Sequence, residues 1–256
     1  MNSYSNKNQS LFPAGKSPDY DLRLTNSIDQ SLYETRTNYV LRRSDYSIRL
    51  ADSPIQRSQA SMLIKRMYSC RGYHVENDVA VIAPHDPRRL TLEATIGERL
   101  AGTVTLGLDS NDGLLADELY KEEISIFRTK NRSVCELSKL AVDPRYSSKE
   151  ILGSLFHLAY IYGRNIHNAT DLFIEVNPRH AGFYQRMLGL CQIGEERICR
   201  RVYAPAVLMH LELEYVDAKI ASLANSCKSK EKSLYRYFLP QHEEEGLADT
   251  LRGHIN

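Results

Sequence analysis

Neither sign of charge is in excess in this chain: 33 basic and 32 acidic side chains nearly cancel over 256 residues. Global charge therefore gives no reason to expect binding to nucleic acid or to a membrane surface, and a charged partner must be met by a local patch. Paired cysteines are lacking too. The five present (Cys70, Cys135, Cys191, Cys199, Cys227) are odd in number, scattered and without a CxxC pair, which argues against a disulfide framework and a structural zinc site. They read as reduced thiols in a cytoplasmic protein. No apolar run approaches the length needed to span a bilayer, and the N-terminal stretch MNSYSNKNQSLFPAGKSPDY lacks the apolar centre of a signal peptide. No internal repeat or extended low-complexity tract is present.

What is there suits one α/β domain with extensions, because about 150–200 residues can bury a self-sufficient core. Residues 1–40 are rich in Ser, Asn, Asp, Lys and Arg and read as a flexible arm. Ile48 and Leu50 alternate with polar neighbours as in a strand. Asp52 or Ser53 then caps a helix with Pro54 at its first position, Ala60, Leu63, Ile64 and Met67 on one face, and Gly72 at its end. Three β-rich runs follow, at Asp78–Ile82, Leu90–Thr95 and Leu100–Leu106, forming a meander. A short helical insert over Leu114–Phe127 leads to a strand at Val134–Val142 and an amphipathic helix at Lys149–Arg164. A strand at Asp171–Val176, a helix at Ala181–Leu188 closed by Gly189, and a strand at Ala206–Tyr215 complete residues 41–216. This order predicts an α/β (α+β) domain, a mixed sheet with helices on both faces, not a doubly wound parallel sheet. Residues 217–256 read as a helical, charged extension, a solvated tail or a packing helix.

One scarcity is local. The strand, turn and helix of CELSKLAVDPRYSSKEILGSL have the shape of a phosphate-cradling segment, in which glycine exposes backbone N–H groups at a helix N-terminus. Yet Ser147-Ser-Lys-Glu-Ile-Leu152 contains no glycine, and the first is Gly153. Ser147 and Glu150 have the S-x-x-E spacing of a capping box, which would satisfy with side chains the N–H groups otherwise offered to phosphate.

Four stretches, IRLADSPIQRSQASMLIKRMYSCRGY, CELSKLAVDPRY, the helix after it and EVNPRHAGFYQRMLGL, stand in order between about Ser44 and Tyr215. Together they resemble the GNAT superfamily of acyltransferases and, within it, the N-acyl amino acid synthases of the FeeM type, cousins of the acyl-homoserine lactone synthases. The resemblance implies a GNAT-like acyl-CoA N-acyltransferase fold with a mostly antiparallel central sheet. It implies transfer of a long-chain acyl group to the amine of an amino acid. Without a glycine cradle for a pyrophosphate, the implied donor is acyl-phosphopantetheine on acyl carrier protein, with no bound cofactor; a coenzyme A thioester is the alternative. A lactone synthase is disfavoured because the chain has no Trp. A non-catalytic module that binds acyl carrier protein is the reading from another class.

Glu136 falls by period-2 alternation on the face opposite Cys135 and Leu137, with Ser138 and Leu140. The resemblance makes it the general base, directly or through water, and a buried carboxyl suits that work. Its bland alternative is a strand carboxylate paired with a neighbouring Arg or Lys. Tyr184 would protonate the departing thiolate, or else be a core tyrosine with its hydroxyl at the surface. Ser138, Lys139, Asn177, Arg179 and His180 are the candidate substrate-binding residues, Arg179 and His180 holding either a carboxylate or a phosphate. Lys139 stands where the lactone synthases carry arginine, a point charge in place of a fork. Leu140, Val142, Arg145, Ser147, Ser148 and Lys149 are candidates for holding the acyl donor. Val79–Ile82, Thr103–Leu106 and Ile151–Ile161 could line an acyl tunnel or simply form the core. Arg128, Lys130, Arg132, Arg145 and Lys149 are candidates for a basic landing site for an acidic carrier. His85, His157 and His167 lack metal-ligand spacing, His157 reads as structural, and no metal is implied.

Overall fold

The computed structural model describes residues 39–74, 80–82, 86, 88–129, 131–224 and 232–255. Nine strands form one sheet: β1 (Tyr39–Arg42), β2 (Ser47–Leu50), β3 (Arg89–Ile96), β4 (Arg99–Leu108), β5 (Val134–Val142), β6 (Asp171–Val176), β7 (Cys191–Gln192), β8 (Arg197–Cys199) and β9 (Ala204–Glu212). Their order is β1-β2-β3-β4-β5-β6-β9-β7, with β8 paired to β9, and every pair is antiparallel except β5 with β6. The mixed, mostly antiparallel sheet is the one expected.

Helix α1 (Pro54–Ser69) starts where the cap signal puts it. Ser53 accepts from the Gln56 N–H while the Gln56 side chain returns a bond to the Ser53 N–H, and Pro54 occupies the first turn. Its buried residues are the four expected, Ala60, Leu63, Ile64 and Met67, and they pack with Ala80, Ile82 and Ala141. Helix α2 (Asp117–Ser125) lies over the same face, closing Tyr120 and Ile124 on Phe173 and Leu208. On the opposite face α3 (Lys149–Tyr160) buries Leu155, Phe156, Leu158 and Ala159 against Leu92, Val104 and Leu106. Helices α4 (Pro178–Leu188), α5 (Leu213–Leu223) and α6 (Gln241–Ile255) complete the set.

Several boundaries differ from the sequence expectation. Ala80–Ile82 is turn and coil rather than strand, and the start of that expected strand lies outside the described residues. The last strand stops at Glu212, and Leu213–Tyr215 opens α5 instead. The expected helix to Arg164 is α-helical only to Tyr160 and continues as a π-helical stretch at Ile161–Ile166. Within it, a Cβ on Gly163 would lie 3.2 Å from Leu106 Cδ2. The capping box expected from Ser147 and Glu150 does not form. Ser148 is the N-cap of α3, accepting from the Ile151 N–H at 3.1 Å, and an isoleucine three residues after the cap has no group to send back.

The C-terminal segment packs; it is not a solvated tail. A 3₁₀ turn at Leu234–Tyr237 lies against α3 so closely that a Cβ on Gly153 would approach Tyr237 Cβ to 2.8 Å. Gly153 therefore serves this contact. His157, 1 % exposed, accepts the Leu239 N–H on Nδ1 and bonds the buried Glu244 carboxylate through Nε2 at 2.9 Å. With Nδ1 accepting, Nε2 carries the proton, so the ring is neutral, and burial holds its pKa below the usual value. Asn165 donates to the other Glu244 oxygen. Glu244→Ala would leave the buried donor of His157 and the half-buried amide of Asn165 without this partner, at an expected cost of about 2–4 kcal/mol. Urea unfolding measures this, and an unchanged midpoint would mean that α6 is not held through this pair.

Candidate active site

The parallel pair is short. β5 and β6 are hydrogen-bonded only over Val134–Leu137 and Asp171–Ile174; beyond that β5 follows β4 while β6 follows β9. The joined end is fastened by Asp171, fully buried, which accepts from Arg132, His210 and Thr170. The open end is a cleft.

A β-bulge shapes one wall. Thr105 pairs with Ser138 but Thr103 pairs with Ala141, so β5 carries one extra residue, and Lys139 takes it up at φ 54°. The strict alternation expected along β5 is thus broken. Glu136 and Ser138 share the α1 face, and Ala141, three residues on, shares it as well. Lys139 and Leu140 are redirected to the cleft, where a cavity of about 370 Å³ opens.

Glu136, Ser138, Lys139, Leu140, Asn177, His180 and Tyr184 all line this cavity. Glu136 is 3 % exposed, and its oxygens accept the Leu115 N–H at 2.7 Å and the Ala116 N–H at 3.0 Å. Its partners are backbone donors at the start of α2, not the neighbouring-strand Arg or Lys that the bland alternative required. Burial raises its pKa, and the two N–H groups, with Arg89 and Arg201 acting through space, oppose that rise. Each oxygen keeps a second lone pair. Ser138 Oγ is buried without a hydrogen-bond partner among the described residues. Lys139 donates to the Val81 carbonyl, and burial, with Arg89 nearby, lowers its pKa to about 8.

Tyr184 is half-buried, edge-on to Phe156, and burial raises its phenol to about 12, so it is a proton donor at neutral pH. Asn177 caps α4, accepting from the Arg179 N–H and donating to the Pro205 carbonyl. Arg179 is not among the lining residues; it lies over the Tyr73 ring, with Nη2 on the Arg71 carbonyl and Nε on His180 Nε2. Burial and the two arginines hold the His180 pKa below its usual value.

Other expected residues lie elsewhere. Val142, Arg145, Ser147, Ser148 and Lys149 are at the far end of β5 and the start of α3, not around the cavity. Arg145 forks onto Asp143, which Arg66 also holds, and the Asp143 carboxyl is pulled down to about 2. The expected basic landing site is not one patch. Arg128 is bound by Asp109 and Asp117, and Arg132 by Asp171 and Glu212. The nine-residue strand between them and Arg145 spans about 30 Å. Lys130 and His85 lie outside the described residues.

Sequence reasoning passed over Tyr68, Arg71, Tyr73 and Arg201, which also line the cavity. Arg201 bonds the Leu115 carbonyl, Glu118 and Glu175, so it ties the loop that holds Glu136 to the end of β6. Arg71 is exposed at the mouth, and its guanidinium makes no hydrogen bond or ion pair with the described residues. The signal for it was positional: it lies in the turn just past a well-defined helix end.

A splayed parallel pair, a bulged strand with a buried glutamate and a tyrosine facing it across the cleft are the setting for comparison with known proteins. The family model of the N-acyl amino acid synthase FeeM matches residues 59–212, more than half of the chain. The chain belongs to the FeeM family. Among solved structures, FeeM, an N-acyl amino acid synthase from uncultured soil microbes, is 27 % identical at a TM-score of 0.61, over 66 % of this chain and 92 % of that one. Arabidopsis thaliana NAA60 in complex with a bisubstrate analogue is 16 % identical at 0.48, over 65 % and 98 %. A GNAT-family acetyltransferase from Streptococcus pneumoniae is 16 % identical at 0.46, over 66 % and 99 %. No curated protein sequence matches. This FeeM-family protein is an N-acyltransferase. No helix among its described residues is long and apolar enough to cross a membrane.

Lys139 supplies a pH test. Its folded pKa, about 8, is below its ordinary 10.5, so the charged form is disfavoured in the fold and the cost is fully present below pH 8. Between these values the unfolded chain binds the proton more than the folded one, and stability rises with pH. The stability of Lys139→Met relative to wild type is therefore expected to be greatest near pH 7 and to decline toward pH 10.5. Urea titrations at both pH values check the sign.

Proposed function

We propose that the enzyme moves a fatty acyl group from acyl-phosphopantetheine on acyl carrier protein to the α-amine of an amino acid. The observation that carries this reading is the convergence, in one cavity at the open end of β5 and β6, of a buried carboxyl group, a protonated phenol and an exposed guanidinium without a partner among the described residues. Glu136 takes a proton from the incoming amine, directly or through one water, using the lone pairs that Leu115 and Ala116 leave free. The amine nitrogen bonds to the thioester carbon, the carbon–sulfur bond breaks, and Tyr184 gives its proton to the departing thiolate. Solvent then carries the proton from Glu136 back to Tyr184.

Arg71 binds the acceptor carboxylate at the mouth, and Arg179, already committed to Tyr73 and the Arg71 carbonyl, braces that turn. Lys139 and the Ser138 hydroxyl offer hydrogen bonds deeper in the cleft. For the donor, the N–H groups of Lys149 and Glu150 at the start of α3 are left open by the single Ser148 cap, and they suit one phosphodiester. The absence of glycine from 147–152 still favours a donor with that single group, as in a cytoplasmic carrier protein. The same open groups give the coenzyme A alternative its support, and the ratio of kcat/KM for acyl carrier protein against coenzyme A thioesters decides between the two.

Glu136→Gln is expected to lower kcat by about 100-fold or more. Its thermal unfolding must be followed in parallel, because the amide NH₂ would face a backbone donor. Tyr184→Phe is expected to slow the step less for a donor with an acidic thiol leaving group than for the natural thioester. Arg71→Met should raise the amino acid KM about tenfold while leaving the donor KM unchanged. Full turnover in Glu136→Gln removes the base assignment, and an unchanged amino acid KM in Arg71→Met removes the carboxylate site.

A further inference from the structure

We infer that the C-terminal segment forms the floor of the fatty-acyl site and sets the chain length the enzyme accepts, an inference that rests on the acyl-transfer reading above. Beneath the cavity lies an apolar void of about 30 Å³. The two share Leu137 and Phe156, whose side chains are the partition between them. On its far side the void is bounded by Tyr235 and Phe238, and at its edge by Gly163 and Leu106.

An acyl chain whose thioester sits beside Glu136 can run past the partition into this void, which no charged side chain lines. The cavity itself carries Glu136, Lys139, Glu175 and Arg201 among its walls, and its outer side is the mouth marked by Arg71. The void is apolar and so has nothing to hold water, which makes it a place for a hydrocarbon end. Its floor is firmly built. The Tyr235 hydroxyl donates to the Leu188 carbonyl at 2.6 Å, and Phe238 meets Tyr235 edge-on at 5.1 Å and stacks on His157 at 4.6 Å. A rigid floor converts a difference of one or two methylenes into a steric difference. Tyr235 and Phe238 lie beyond residue 212, where the family match ends, whereas Leu137, Phe156 and Gly163 lie within it.

The test uses the full-length enzyme, an amino acid acceptor and a competing mixture of saturated acyl donors of graded length, with products read by mass spectrometry. Phe238→Ala, with Phe238→Leu as the milder version, is expected to raise the long-to-short ratio of kcat/KM by about tenfold or more. Gly163→Ala, whose new methyl would lie 3.2 Å from Leu106 Cδ2 and 3.6 Å from Cys135 Sγ, is expected to lower that ratio. Circular dichroism and melting curves confirm that each variant is folded. If turnover persists and the ratio stays put in all three, the floor is elsewhere. If wild type transfers no acyl group from any donor, the acyl-transfer reading fails, and the floor is then judged on binding of cis-parinaric acid. Weaker binding of this fluorescent fatty acid to Gly163→Ala than to wild type supports the floor, and equal binding overturns it.

Discussion

The site depends on a hydrogen-bond ladder that stops early. Two parallel strands joined at only four positions each must part, and Glu136, Ser138, Lys139, His180 and Tyr184 are arranged around the gap they leave. The parting is possible because each strand keeps its other neighbour: β5 stays bonded to β4 and β6 to β9, so few backbone groups are stranded at the opening. The fully buried Asp171, clasped by Arg132, His210 and Thr170, prevents the gap from running the whole length of the sheet.

Within the gap, burial and backbone donors divide the electrostatic work. Burial pushes Glu136 up and Lys139 down, so both charged forms are less favoured than in water, while the N–H groups of Leu115 and Ala116 oppose the rise at Glu136. The same donors belong to the start of α2, and Arg201 fixes that start to Glu118 and Glu175. A carboxylate that anchors a helix is also one whose position is fixed before substrate arrives.

Much of this was legible in the sequence, for identifiable reasons. The start of α1 and its buried face followed from Ser53, Pro54 and a 3.6-residue apolar period, and β5 and β6 from the short runs VCELSKLAV and DLFIEV. Glu136, Lys139, His180 and Tyr184 were picked out and do come together. The bulge was not legible, because an extra strand residue is defined only by the register with β4, and no local composition signals a lysine at positive φ. The cap of α3 was placed one residue early, since two adjacent serines offer the same hydroxyl and only the backbone angle of Ser148 chooses between them. Whether the C-terminal segment was a solvated tail or a packing helix could not be chosen from sequence, because its buried carboxylate Glu244 meets a histidine partner 87 residues earlier.

The bulge also makes the chain tolerant of miscounting at one place. If the supernumerary residue of β5, opposite Val104, were excised, the pleat would return to plain two-residue rhythm. Ala141 would then stand two places after Ser138 and keep its position under α1 opposite Thr103, and Val142 would still meet Gly102. Codon loss at 139–140 is thus a change the strand can absorb in register, and its cost falls on the cleft, which loses one of the two side chains turned into it.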